Sequence, residues 1–279
     1  MGEVRIVTDS ACDLPAALVE ELAIEVVPLT IRFGQEELVD GLDFTPDQFW
    51  ARCNASPVLP ETAAPSPGAF QAAFRKAAED GCSGAVCINL SGGLSATHQA
   101  AVSAAGDVNE VPVRCVDSRS ISLGLGMVVL AAARAASAGK SLEDVSGLAE
   151  DLVARTRLFG TLDTLEYLKK GGRIGSAAAL LGSMLSIKPV IQLVDGAVAE
   201  ESKQRTRKRA LEYLVGKVRS AGEIESLGVL NGAAPDVGQF LDLLGTVYPR
   251  DQIVVGDIGA VIGSHTGPGT IGITYHVPG

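Results

Sequence analysis

Aromatic side chains are scarce in this 279-residue chain, at 4% of the total, with a single Trp. Its core must therefore be built from Ala, Val, Leu and Ile, which supply most of the 47% hydrophobic content. That content excludes a wholly disordered chain. Cysteine is sparse: five residues, an odd number with no Cys-x-x-Cys spacing, so no disulfide framework is expected. They read as buried, reduced thiols of a cytoplasmic protein. There are three histidines, none in a His-Glu-x-x-His arrangement or near a cysteine cluster, so no metal site is expected. No apolar run reaches the roughly 20 residues of a membrane span. The nearest, Ile121–Ala136, is broken by Gly124, Gly126 and Arg134 and reads as a buried helix. The first residues lack a basic segment followed by an apolar one, so no secretory signal is expected. Basic residues are outnumbered 23 to 33, a net charge of −10. The overall field therefore does not attract nucleic acid or anionic lipid. No repeat is visible, and the 32 glycines have no three-residue period.

The length suits one large domain or two small ones. Val4–Thr8 reads as a strand, followed by a helix with Asp13 as N-cap and Pro15 in its first turn. Ile24–Ile31 reads as one strand and Phe33–Leu42 as a hairpin. Thr45-Pro46 and Ser66-Pro67 start helices on either side of the loop 57–67, which holds four prolines. Gly84–Leu90 is a buried strand that turns through Ser91-Gly92-Gly93-Leu94-Ser95 into a helix. Val111–Val116 is another strand, followed by two helices. Alternation of strand and helix predicts a parallel sheet flanked by helices over residues 1–158. Residues 159–279 predict a second α/β unit with a mixed sheet. Its Asp195-Gly196 turn pairs Pro189–Val194 with Val198–Ser202. Ser176–Leu185 reads as an apolar helix, and Gly259–Gly269 as a glycine-rich loop before a final strand.

Ligands of open α/β sheets bind beyond the carboxyl ends of the strands. Three such ends carry hydroxyls: Thr8-Asp9-Ser10, Ser91 to Ser95, and Asp117-Ser118. Gly92-Gly93 lets the backbone approach closely, and Ser95 at a helix start would pair its hydroxyl with free N–H groups as an anion site. The plainer alternative is that Ser95 and Asp117-Ser118 only cap helices. The turn lacks the Gly-Lys-Ser/Thr of a phosphate-binding loop. Thr62 sits in the proline-stiffened loop, and His265 lies between glycines in Gly263-Ser264-His265-Thr266-Gly267. Ser95, His265 and Asp257 raise a serine-dependent lipid hydrolase, but no Gly-x-Ser-x-Gly elbow occurs at a strand-to-helix turn. A small phospho-ligand-binding module is a third reading. Residues 203–209 place five cations in seven positions at a helix start, where they oppose the helix dipole. Partner contact is one reading of that placement; a solvated helix end is the other.

Several segments together resemble the DegV family of bacterial fatty-acid-binding proteins. They are Thr8-Asp9-Ser10 with Asp13-Leu14-Pro15, Thr62 with Pro65-Ser66-Pro67, and Leu90 to Thr97. Val116-Asp117-Ser118 with Gly124-Leu125-Gly126, Leu165 to Ile174, Ile187-Lys188-Pro189, and His265-Thr266-Gly267-Pro268-Gly269 complete the set. The resemblance implies two α/β domains with a long-chain, palmitate-like fatty acid buried at their junction. It implies no catalytic residue and no cofactor beyond that ligand. Thr62, Ser95 and His265 would hold the carboxylate, with Ser91 one turn from Ser95 and Arg173 near the polar end. The apolar stretch Ala177–Leu185, with Met184, would line the tunnel. A separate fatty-acid kinase is the implied partner, docking on Arg205 and Arg207, with transient membrane contact during exchange. Cys12, Ala63-Ala64 and His98 depart from the family's usual residues.

Overall fold

A computed structural model describes residues 3–56 and 58–279. The first sheet is fully parallel, in the order β2-β1-β6-β7, with β1 Val4–Asp9, β2 Glu25–Val27, β6 Gly84–Asn89 and β7 Val113–Asp117. Central β6 is buried at every position, as its unbroken apolar run requires in a sheet covered on both sides. Side chains alternate between the faces. Val86 and Ile88 join a core with helices α5 (Leu123–Ser137) and α6 (Leu142–Arg155). Ala85 and Cys87 face α3 (Pro67–Glu79) and α4 (Thr97–Asp107).

The second sheet has six strands: β8 Thr156–Thr161, β9 Lys188–Val194, β10 Ala197–Gln204, β11 Ser226–Gly232, β12 Ile253–Asp257 and β13 Thr270–His276. Their order is β10-β9-β8-β13-β11-β12, antiparallel except for β11 with β12. The parallel and mixed sheets match the sequence expectation. Asp195 and Gly196 both have positive φ, 49° and 79°, which suits the tight turn joining β9 to β10. Helices α8 (Arg207–Ala221) and α9 (Val237–Leu244) cover one face. Helix α5 is buried over most of its length, Leu123–Leu130 entirely, because it touches strands of both sheets. Gly126 makes the fit feasible: a Cβ there would lie 2.4 Å from the carbonyl oxygen of Cys12.

A third, small sheet orders β4-β3-β5, with β3 Thr30–Phe33, β4 Glu36–Val39 and β5 Glu61–Ala63. Here the structure corrects the sequence reading. Ile24–Ile31 is not one strand: Pro28 and Leu29 carry the chain from β2 in one sheet to β3 in another. The proline-rich loop contributes β5, in which Thr62 pairs with Ile31. Asp13 does not cap α1 (Ala16–Glu21); Pro15 occupies that position and Asp13 is buried in a left-handed conformation. Residues Gly175–Ser186 form 3-10 turns rather than an α-helix. The Met184 side chain lies outside the described residues. Gly259–Gly269 is mostly not loop. It holds α10, Ala260–Thr266, packed against α2 (Pro46–Ala55) and α7 (Glu166–Lys170). Gly263 in α10 serves packing, since a Cβ would meet the rings of Phe49 and Trp50 at 2.7–2.9 Å.

Candidate functional site

Between the sheets lies a cavity of about 170 Å³. Leu29, Leu90, Leu94, Ile121, Ile191 and Val198 are among its apolar walls. Thr62, Ser95, Arg173 and His265 also line it. Four separate elements deliver them: β5, the turn before α4, the turn after α7, and α10. The hydroxyl of Thr62 lies 3.0 Å from Nε2 of His265, across 203 positions of sequence. His265 Nδ1 is buried with no partner among the described residues. Burial, aided by the Arg173 charge, pushes the His265 pKa down to about 4. The ring is therefore neutral at pH 7. It sits under the backbone of Gly171, where a Cβ would fall 2.2 Å from Nδ1.

Arg173 is fixed by two backbone acceptors. Its Nε donates to the Leu94 carbonyl at 3.1 Å and its Nη1 to that of Gly171 at 2.7 Å. The first bond ties the α7 turn to the Ser91–Ser95 turn. Ser95 Oγ lies 2.8 Å from Thr97 Oγ1 and accepts from the Thr97 N–H at 3.3 Å; the N-cap position of α4 itself is Ala96, so Ser95 is not the cap the plainer reading allowed. Ser91 is placed differently. It is buried, donates to the Gly196 carbonyl at 2.7 Å and accepts from the Gly93 N–H at 3.2 Å. It locks the turn to the β9–β10 hairpin and does not line the cavity.

A hydrolytic triad is not assembled. Ser95 pairs with Thr97, His265 pairs with Thr62, and Asp257 accepts from Asn231 at 2.9 Å while lining a different cavity. Among the described residues, no group of three or more His, Cys, Asp or Glu could hold a metal ion, and no helix is long and apolar enough to cross a membrane. In the basic run, Arg207 is committed to Asp236 through two bonds of 2.9 and 3.0 Å. Arg205 is exposed and makes no hydrogen bond or ion pair with another described residue.

The buried roles of two acids were not read from the sequence. Asp13 accepts from the Ser122 hydroxyl at 2.5 Å and from the Gly259 N–H at 2.9 Å, joining the starts of α5 and α10. Burial pushes its pKa up to about 8. Asp40 is likewise raised to about 6 by burial and accepts from the Ala260 N–H. Both hold the start of the helix that carries His265. The available signal was Asp13 followed by Leu-Pro, which reads equally well as a cap.

The chamber thus sets hydroxyl, imidazole and guanidinium groups among apolar walls inside an α/β fold. The model of the DegV family matches residues 3–277, and the chain belongs to that family. It is 41% identical over 275 residues to a DegV domain-containing protein of Streptomyces coelicolor, covering 97% of each chain. It also resembles the solved structure of a DegV family protein from Thermus thermophilus, described as binding fatty acid. That match has a TM-score of 0.91 and 34% identity, covering 99% of this chain and 100% of the other. A stearic-acid-binding protein from Eubacterium ventriosum matches with a TM-score of 0.87 and 27% identity over 98% of both chains.

Proposed function

We propose that this protein binds one long-chain fatty acid in the cavity and presents its carboxylate to a separate fatty-acid kinase. The observation that carries the reading is the convergence of Thr62, Ser95, Arg173 and His265 on one apolar chamber. Fatty-acid binding by its structural relatives supports it. With its proton on Nε2, neutral His265 donates to Thr62 Oγ1 and leaves the threonine O–H free to point at a ligand oxygen. Ser95 supplies a second hydroxyl and Arg173 the compensating charge; charge-assisted bonds of this kind are the stronger class. The acyl chain supplies the larger share of affinity. At about 0.8 kcal/mol per buried CH₂, some fifteen methylenes offer about 12 kcal/mol before ordering costs.

The chamber is smaller than the roughly 300–1,000 Å³ usual for ligand sites of this kind. Entry of a full chain therefore requires its small branched walls to part. In this reading the acid lies at the junction of units 1–158 and 159–279, in a cytoplasmic protein that exchanges lipid by transient membrane contact. The protein breaks no bond itself. Arg205 meets the kinase, whereas Arg207 contributes by holding the corner of β10 and α8 through Asp236. The test is binding of palmitate to delipidated Thr62→Ala/Ser95→Ala protein. Affinity should fall at least tenfold, and an undiminished affinity would remove both hydroxyls from the clamp.

A further inference from the structure

Strands β6 and β7 are parallel neighbours, and their register sets Cys87 directly opposite Cys115. Adjacent strands lie about 4.8 Å apart, and registered neighbours point to the same face. That separation falls in the roughly 4.4–6.8 Å Cα window of disulfides. Both side chains pack on the α3–α4 face. Cys87 is fully buried, while Cys115 is partly exposed on β7, the edge strand of its sheet. Cys115 is therefore the nearer of the two to solvent, with Cys87 held behind it. The Cys87 Sγ donates to Asn89 Oδ1 at 3.4 Å, and Asn89 Nδ2 donates to Asp9 Oδ2 at 3.2 Å. The same carboxylate oxygen accepts the N–H of Leu90, a residue of the cavity wall, at 2.9 Å.

We propose that Cys87 and Cys115 are a reversible redox site, oxidised by small peroxides to a cross-strand disulfide. The neighbouring Cys87 thiol lowers the pKa of Cys115, whereas burial raises that of Cys87. Cys115 is thus the attacking sulfur, because the thiolate is the reactive form. Its thiolate attacks one peroxide oxygen. The O–O bond breaks, the alcohol or water leaves with a proton, and Cys115 becomes a sulfenic acid. The Cys87 sulfur then displaces the sulfenic hydroxyl. An S–S bond forms, the S–O bond breaks, and the Cys87 proton departs in water. Two thiols and one peroxide give one disulfide, one alcohol or water and a further water. Two equivalents of a small thiol reverse the change and are oxidised to their own disulfide. Oxidation takes from Cys87 the proton it donates to Asn89, so the hydrogen-bonded thread to Leu90 loses its first link.

The experiment treats the full-length protein with hydrogen peroxide, blocks remaining thiols by alkylation and maps the unreduced digest by mass spectrometry. The expected result is a linked pair of peptides containing Cys87 and Cys115, lost on treatment with dithiothreitol. Cys115→Ser protein should yield no such pair and an alkylated Cys87. Should that variant fail to fold, the parent digest alone decides. Over-oxidation of Cys115 beside an alkylated Cys87 would overturn the proposal, as would no linked pair at all. The map is independent of fatty-acid binding, so the two readings stand or fall separately.

Discussion

Replacing Gly171 with alanine tests whether the placement of His265 governs binding. Gly171 has φ −74° and ψ −5°, a conformation alanine adopts without strain. Backbone freedom is therefore not the reason for glycine here. An added Cβ would lie 2.2 Å from His265 Nδ1, 2.9 Å from Cε1 and 3.1 Å from the Tyr167 carbonyl oxygen. Unstrained heavy-atom contacts lie at about 3.5–4.0 Å, so the ring must retreat by more than ~1 Å. A shift of that size disrupts the geometry of the 3.0 Å contact with Thr62. Overpacking costs about 1–3 kcal/mol and the lost bond about 1 kcal/mol, against a gain of up to ~1 kcal/mol from helix propensity. Net destabilisation should be about 1–3 kcal/mol, and affinity for palmitate should fall at least tenfold, or about 1.4 kcal/mol. Calorimetric titration of delipidated protein, with thermal unfolding alongside, reads both quantities. Gly147→Ala is the control, because no heavy atom outside its own helix lies within 4 Å of the added carbon. Affinity of Gly171→Ala within twofold of the parent would refute the role given to His265.

Further outcomes follow from the same contacts. Asp13 has a folded pKa of about 8 against about 4 unfolded, so the folded chain keeps a proton that the unfolded chain releases. Stability from this group is full below pH ~4 and is lost as pH rises toward 8, at up to about 1.4 kcal/mol per unit. Urea midpoints between pH 6.5 and 8 should decline accordingly, and Asp13→Asn should flatten that slope; a flat profile in the parent would contradict the assignment. Arg207→Ala should lower stability by about 1 kcal/mol through loss of the partly buried pair with Asp236. Arg205→Ala should leave stability within about 0.5 kcal/mol and weaken kinase-dependent acyl-phosphate formation. Equal effects of the two substitutions on unfolding would show that the run is not divided in this way. Gly126→Ala should destabilise strongly, because backbone at Cys12 cannot move aside as a side chain would; an unchanged unfolding midpoint would count against the close packing of α5.

The parallel sheet was legible because its strands alternate with helices, α1 between β1 and β2 and α4 between β6 and β7. Asp195-Gly196 announced its hairpin by residue type alone. The division of 24–31 between two sheets was not legible, since nothing local distinguishes a strand that changes partners from one that continues. Helix α10 was hidden by its glycines. They suggested a loop, but Gly263 answers to Phe49 and Trp50, and Gly267 to the ring of Tyr167, where a Cβ would approach to 2.6 Å. The candidate residues Thr62, Ser95, Arg173 and His265 could be named from motifs. Their meeting in one cavity depends on β5 joining β3 and on Arg173 bonding to Leu94, both long-range facts. Ser95 was preferred to Ser91 from its place at the helix start, but the motif alone did not separate them. Only the contact between Ser91 and Gly196 separates them.

Native mass spectrometry of the freshly purified protein, followed by extraction and identification of whatever is bound, tests the central claim most directly. The account predicts one equivalent of a free long-chain fatty acid per chain, which delipidated protein takes up again when palmitate is added. A chain that is empty as purified and stays empty with added palmitate would contradict it.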